Sequence, residues 1–404
     1  MSGQTSDRIK NAILPVMIVS LAIGSYVKND DGGDSRAATT AAPSTAPAAT
    51  TPAELPRTAT TPAATTTPAT AQSAQKAQKA LPVDKALGQT LAGSYLGPTP
   101  SDALLGRIRR GELGSVILFA GNVSGGITRT RAAVDRMQDA AKAGGNPPLL
   151  VMTDQEGGIV KRLPGPPDRA AASMTSASVA QAQGKATGRL LRKAGVNFDL
   201  APVVDVKRVK GSFLGTRAFA TDPVRVAQRA CAFAAGLRTA GVGAALKHFP
   251  GLGRASGNTD DGRITITSSA ATIRSDYAPY ERCAGAGRTA VMMSNATYPK
   301  LLDPDAPAVL TAATYSRELG RAGVPDSALT ISDDLNAAAI NGRERPGHRA
   351  LVAGLDLLLY AGDPGASAFA YTKLLAELKA GDLPAARVRD AAAAVLRFKA
   401  QLPD

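Results

Sequence analysis

"GVGAALKH", residues 241–248, is an unbroken run of small and branched apolar residues that ends on a lysine and a histidine. A run this short, with Gly241 in front and a Phe-Pro-Gly turn behind, has the length of a strand buried on both faces. Similar runs recur along the chain: "QTLAGSYL" from 89, "GSVILFAG" from 114, "PLLVMTD" from 148, "VNFDLAPV" from 196, "TAVMMSN" from 289, "ALTISDD" from 328 and "GLDLLLYAG" from 354. Between them lie segments such as Thr128 to Ala143 and Pro223 to Ala240, whose apolar residues recur at three and four and which often stop at glycine. Continuous apolar strands alternating with amphipathic helices predict a parallel sheet covered by helices. Eight such units predict an α/β protein of one domain, a closed (β/α)8 barrel of the TIM type. A doubly wound open sheet is the competing arrangement, but no glycine-rich phosphate fingerprint follows the first run to favour it.

The polar residues point the same way, because they gather where the apolar runs end. Asp154 closes the third run, Lys247 and His248 the fifth, Asn295 the sixth, and Asp333 with Asp334 the seventh. In a barrel of this type the loops at the C-terminal ends of the strands build one site. Carboxylates, a lysine and a histidine far apart in sequence are therefore expected at one mouth.

The barrel is expected over residues 81–404, because what precedes it has a different composition. Residues 31–80 are dominated by Ala, Thr, Pro, Ser and Gln, too poor in large apolar side chains to bury a core, and read as an extended linker. Within residues 1–30, Arg8 and Lys10 precede an apolar stretch, Ala12 to Val27, and Asp30, Asp31 and Asp34 follow it. That asymmetry is the mark of an export signal. The stretch is short for a spanning helix, which needs about 20 residues, and long for a cleaved signal's core. Cleaved signal and uncleaved membrane anchor both stand, and either places the barrel outside the cytoplasm. An oxidising compartment makes Cys231 and Cys283, in helix-like segments flanking one strand, a candidate disulfide or two buried thiols. Two cysteines alone are too few for a metal site. The formal charge is +14, from 47 Lys plus Arg against 33 Asp plus Glu. The basic residues are scattered, without a run or an aromatic-interleaved patch, so the balance implies attraction to an anionic envelope and no nucleic-acid partner.

Five motifs sharpen the functional reading: "DQEGG" at 154–158 followed by Arg162, "APVVDV" at 201–206, "TRAFATDP" at 216–223, "KHFPG" at 247–251 and "SDDL" at 332–335. In this order and spacing they resemble glycoside hydrolase family 3, and within it the single-domain bacterial β-N-acetylglucosaminidases that trim peptidoglycan fragments. The resemblance covers nearly all of residues 81–404. It implies a retaining glycosidase, which needs a carboxylate nucleophile and an acid/base. By position Asp333 matches the nucleophile, and Asp154, Arg162, Arg217, Lys247 and His248 match the sugar-binding set. The implied partner is an amino-sugar glycan or muropeptide, and the chemistry calls for no metal or organic cofactor. A strand-end aspartate is also a common helix N-cap, a role open to Asp334. His348, the second of two histidines, lies outside every motif and reads as a surface or helix-start residue.

Several letters depart from the pattern. Members of this subfamily carry an Asp and, two residues on, a His after the Phe-Pro-Gly turn, an unusual acid/base pair. Here those positions hold Asn258 and Asp260. Leu252 and Asn295 stand where further histidines are common, and Ile159 where an arginine is usual. Imidazole donates and accepts a proton near neutrality, whereas an exposed carboxylate acts more readily as base than as acid. Burial or a neighbouring carboxylate can correct that, so Asp260, or Asp261 beside it, is the candidate replacement acid/base. Two readings follow: a working hexosaminidase with a carboxylate in place of the histidine, or a relative that binds amino-sugar fragments without turnover. A hydrolase for a different sugar is a third. The absence of Trp disfavours an extended-glycan platform.

Overall fold

The computed structural model describes residues 81–403. The export segment and linker expected over residues 1–80 lie outside them. Eight strands, all parallel, follow one another around the barrel: β1 Leu91–Gly93, β2 Ser115–Leu118, β3 Leu150–Thr153, β4 Phe198–Asp199, β5 Gly243–Phe249, β6 Thr289–Met293, β7 Leu329–Ser332 and β8 Leu358–Tyr360. β8 pairs with β1, and the ring closes between β7 and β8 through an Ile331–Leu357 bridge and the bonds from Leu357 N to Thr330 O and Ser332 N to Leu357 O. The strands are shorter than the apolar runs that announced them. In "VNFDLAPV" regular pairing ends at Asp199, and beyond it the chain is held by separate bonds, Leu200 N to Thr153 O, Ala245 N to Ala201 O and Lys247 N to Pro202 O, with Pro202 itself giving no N–H, up to the Val203–Lys247 bridge.

Helices cover the outside. Gly126–Ala143, Ala177–Lys193 and Pro223–Thr239 carry the crossovers on either side of β3 and into β5. Glycines set how closely they approach: a Cβ on Gly184 would lie 2.1 Å from the carbonyl oxygen of Phe233. Two apolar layers result. The barrel interior is filled by Ile117, Leu150, Met152, Phe198, Met292, Ile331 and Leu359, and a larger shell lies between sheet and helices. The last helix, Ala385–Lys399, folds back under the N-terminal end of the barrel, where Phe398 meets Phe198 edge-on at 5.1 Å. The barrel interior is closed at that end by the packing of Phe198 and Phe398. No helix among the described residues is long and apolar enough to cross a membrane.

Cys231, in the helix before β5, is bonded to Cys283, at the end of Ala278–Cys283, with Cα atoms 5.6 Å apart. The bridge closes a loop over a sequence separation of 52 that contains all of β5 and the segment following it. Chain-entropy reasoning gives such a loop roughly 4 kcal/mol, with strain usually lowering the realised value. A Cys231→Ala/Cys283→Ala variant is expected to lose roughly 2–4 kcal/mol in denaturant unfolding, and reductant should lower the native protein to the same level. An unchanged midpoint would show that the bridge contributes nothing.

Candidate active site

The C-terminal mouth holds a pocket of ≈ 540 Å³ lined by residues from seven of the eight strands or their ends, among them Phe119, Asp154, Lys247, His248, Asp333 and Ala361. A larger cleft, ≈ 860 Å³, opens beside the last helix at the opposite end. Its Gln138, Asn146 and Asn197 are bonded to backbone groups, and none of the strand-end motif residues lines it.

One wall of the mouth pocket is an ion-pair knot. Lys247 Nζ lies 2.9 Å from Asp154 Oδ1 and 2.7 Å from Glu156 Oε1. Arg217 grips Glu156 with two bonds of 2.8 and 2.9 Å, and Arg162 reaches Asp154 Oδ2 at 3.4 Å while its guanidinium stacks over the Phe119 ring. Burial opposes the charges of Asp154, Glu156, Arg217 and Lys247, and the opposite charges outweigh it. Asp154 is thus held down at about 2, chiefly by Lys247 and then Arg162, and Lys247 is held protonated by Asp154 and Glu156. The knot is a set of charged groups fixed to one another by short contacts. The glycines of "DQEGG" make it possible. Gly157 and Gly158 have φ of 97° and 60° in the turn of a two-stranded hairpin, Gln155–Gly157 with Val160–Lys161, and a Cβ on Gly157 would sit 2.4 Å from Arg169 O.

The opposite wall is acidic. Asp333 follows β7, and its Oδ1 accepts the N–H of Asp334 at 2.9 Å. Burial and then the charge of Asp260 raise its pKa, with His248 opposing. Asp260 faces Asp333 because the loop after β5 is tied to the segment after β7: Ala338 N donates to Asp260 O, Ala339 N to Thr259 O, and Arg263 to Asn341 O. Asp260 Oδ2 accepts from Asn258 Nδ2 at 3.1 Å. Asp261 also lines the pocket, with its side chain exposed. Asp334 is not a helix cap. Its Oδ1 accepts from Asn336 N and Ala361 N, bracing β7 against β8, because no helix begins before Pro346; burial lifts it to about 6.

Every candidate in the resemblance set thus reaches this mouth. Three groups that matter were not singled out from the sequence. Glu156 is the second anchor of Lys247, and Asp205 bonds His248 Nδ1 at 2.7 Å. Asp199, at the end of β4, is fully buried, and burial pushes its carboxyl up to about 8. Its Oδ1 accepts from Gln155 N and so props the hairpin from behind. Glu156 and Asp205 lay inside quoted motifs, and the signal for both was an acidic residue in an otherwise apolar or glycine-rich stretch. His348, as expected, sits at a helix start, bonded to Glu377 at 2.8 Å.

The profile of the glycosyl hydrolase family 3 N-terminal domain matches residues 83–398, nearly the whole of the described barrel. The chain belongs to glycoside hydrolase family 3. It is 31% identical over 328 residues to an uncharacterized secreted glycosyl hydrolase of Arthroderma benhamiae, covering 78% of this chain and 92% of that one. It is 34% identical over 276 residues to the β-hexosaminidase LpqI of Mycobacterium tuberculosis, covering 65% and 71%. Among solved structures, a family 3 β-N-acetylglucosaminidase from Paenibacillus sp. FPU-7 superimposes with a TM-score of 0.74 at 26% identity, over 80% of this chain. The chain spans 63% of that enzyme's length.

Within this family 3 barrel the atypical letters have distinct placements. Ile159 stands on the hairpin tip, 75% exposed and lining the pocket. Leu252 is buried against the pocket floor. Asn295 lies behind the site, where its Nδ2 donates to Asp334 O at 2.8 Å.

Proposed function

We propose that the chain is a retaining β-N-acetylhexosaminidase-type glycoside hydrolase that removes terminal β-linked N-acetylglucosamine from peptidoglycan-derived fragments outside the cytoplasmic membrane. The observation that carries this reading is the arrangement of Asp333 and Asp260 on one wall, opposite the knot of Asp154, Lys247, Glu156, Arg217 and Arg162. The knot, with His248, holds the sugar's hydroxyls. Asp333 attacks the anomeric carbon as the bond to the leaving oxygen breaks, and the carboxyl of Asp260 gives that oxygen its proton. Asp260, now a carboxylate, then takes a proton from water, whose oxygen attacks the same carbon and frees Asp333. Asp261 is the alternative proton carrier on the same loop. Export rests on the N-terminal charge pattern and accords with a secreted relative.

A second reading has its own observation. Asn258 occupies Asp260 with an amide hydrogen bond, and an amide cannot polarise its partner as a carboxylate does. A chain limited in this way binds amino-sugar fragments without turning them over. One experiment separates the two: the full chain is incubated with p-nitrophenyl β-N-acetylglucosaminide, and the first sugar product is followed by NMR. Release of p-nitrophenol with a β-configured product supports the retaining hydrolase. Saturable binding of N-acetylglucosamine without release supports the binder.

A further inference from the structure

We propose that Asp205 is a positioning residue that fixes the ring proton of His248 on Nδ1, so that Nε2 meets the sugar as a hydrogen-bond acceptor. The proposal rests on the sugar-binding reading of the mouth and adds to it the direction of one hydrogen bond.

Asp205 is buried, 1% exposed, and does not line the pocket. Its oxygens face three nitrogens of one turn. Oδ1 accepts from His248 N at 3.2 Å and from Leu252 N at 2.6 Å, and Oδ2 lies 2.7 Å from His248 Nδ1. An ionised carboxylate has only lone pairs to offer, so the ring must donate to it from Nδ1. His248 lines the pocket, and Nε2 is then the ring nitrogen left to face it; in the neutral ring that nitrogen carries a lone pair. The neighbouring groups make an acceptor useful there. Lys247, Arg162 and Arg217 are donors only, and they already draw on every oxygen of Asp154 and Glu156, so a neutral imidazole nitrogen adds an acceptor that no cation competes for. A sugar hydroxyl placed against this wall needs somewhere to give its hydrogen. The same carboxylate, through Oδ1, holds the turn from which the loop bearing Asp260 departs.

The test is Asp205→Asn, which keeps the shape. The amide oxygen can retain both backbone bonds, but its NH2 then faces Nδ1 and requires a lone pair there, which moves the proton to Nε2. The chain has two histidines, so nitrogen-15 NMR of the full protein shows two rings, and His348→Gln identifies which is His248. The expected result is a proton on Nδ1 in the native protein and on Nε2 in Asp205→Asn. The affinity for N-acetylglucosamine, read by titration, should fall by roughly ten- to a hundredfold with an unchanged circular dichroism spectrum, the usual effect of losing a group that orients a ligand-binding imidazole.

A native ring protonated on Nε2 alone or on both nitrogens overturns the proposal. So does a variant with the inverted ring that binds N-acetylglucosamine as tightly as the native chain. If Asp205→Asn does not fold, the native spectrum decides alone. Neither readout needs turnover, so a chain that binds without hydrolysing defeats the hydrolase reading and leaves this one standing. If N-acetylglucosamine does not bind at all, the sugar assignment fails, and the ring spectrum still decides the role of Asp205.

Discussion

Asp333→Asn is expected to abolish release of p-nitrophenol from p-nitrophenyl β-N-acetylglucosaminide, by at least roughly 10⁴-fold, and to leave the protein as stable as before or more so. The first half follows from the proposed chemistry. The glycosyl-enzyme bond needs an anionic oxygen, and an amide in the same place has none to give. The p-nitrophenolate leaving group needs little protonation, so the loss reads the nucleophile and not the acid. The second half follows from electrostatics. Burial and Asp260 raise the Asp333 pKa above its unfolded value. The folded state therefore holds that proton more tightly, and Asp333 costs stability as pH rises through the unfolded carboxylate value toward the raised one. Asparagine removes that cost, so at pH 7 its unfolding midpoint should equal or exceed the native one. A variant that unfolds early would make Asp333 a structural residue. A variant that keeps the native rate would remove it from the chemistry.

The double substitution Asn258→Asp/Asp260→His is expected to raise the hydrolysis of a β-linked N-acetylglucosamine disaccharide at pH 7 by roughly 10² to 10⁴, the usual span of general acid/base help. Two effects act together. An imidazole oriented by a carboxylate donates and returns a proton near neutrality. The change also moves the carboxylate from position 260, where its charge raises the Asp333 pKa, to position 258. The gain should be much smaller on the p-nitrophenyl glycoside, whose departure is nearly independent of the acid. A fall in disaccharide hydrolysis would show instead that Asp260 is already the chain's own acid/base, tuned by its site, and that the histidine is a poorer fit.

The barrel could be read from local pattern. Strand runs, helix periodicity and the glycine and proline stops all arise within a few residues of chain, and β5 was announced by "GVGAALKH" almost to its ends. The short β4 was not, because an apolar run carries no sign of where regular pairing gives way to the separate bonds found beyond Asp199. Asp333, Lys247 and Arg217 were legible because each sits in a motif whose order along the chain mirrors the order of the strand ends. Glu156 and Asp205 lay in the same motifs yet gave no role, since their partners are Lys247 and Arg217 in one case and His248 in the other, tens of residues away.

What the sequence by itself determined is therefore the alternation of eight strands with their helices and the gathering of acids, a lysine and a histidine at one end. Both follow from periodicity and the handedness of parallel crossovers. Only the tertiary structure decided which charge answers which: that Lys247 bridges two carboxylates, that the loop after β5 is tied to the segment after β7 so that Asp260 faces Asp333, and that Asp205 stands behind His248. The reason is physical. Electrostatic and hydrogen-bond energies depend on distance and burial in space, and neither quantity exists until the barrel has closed.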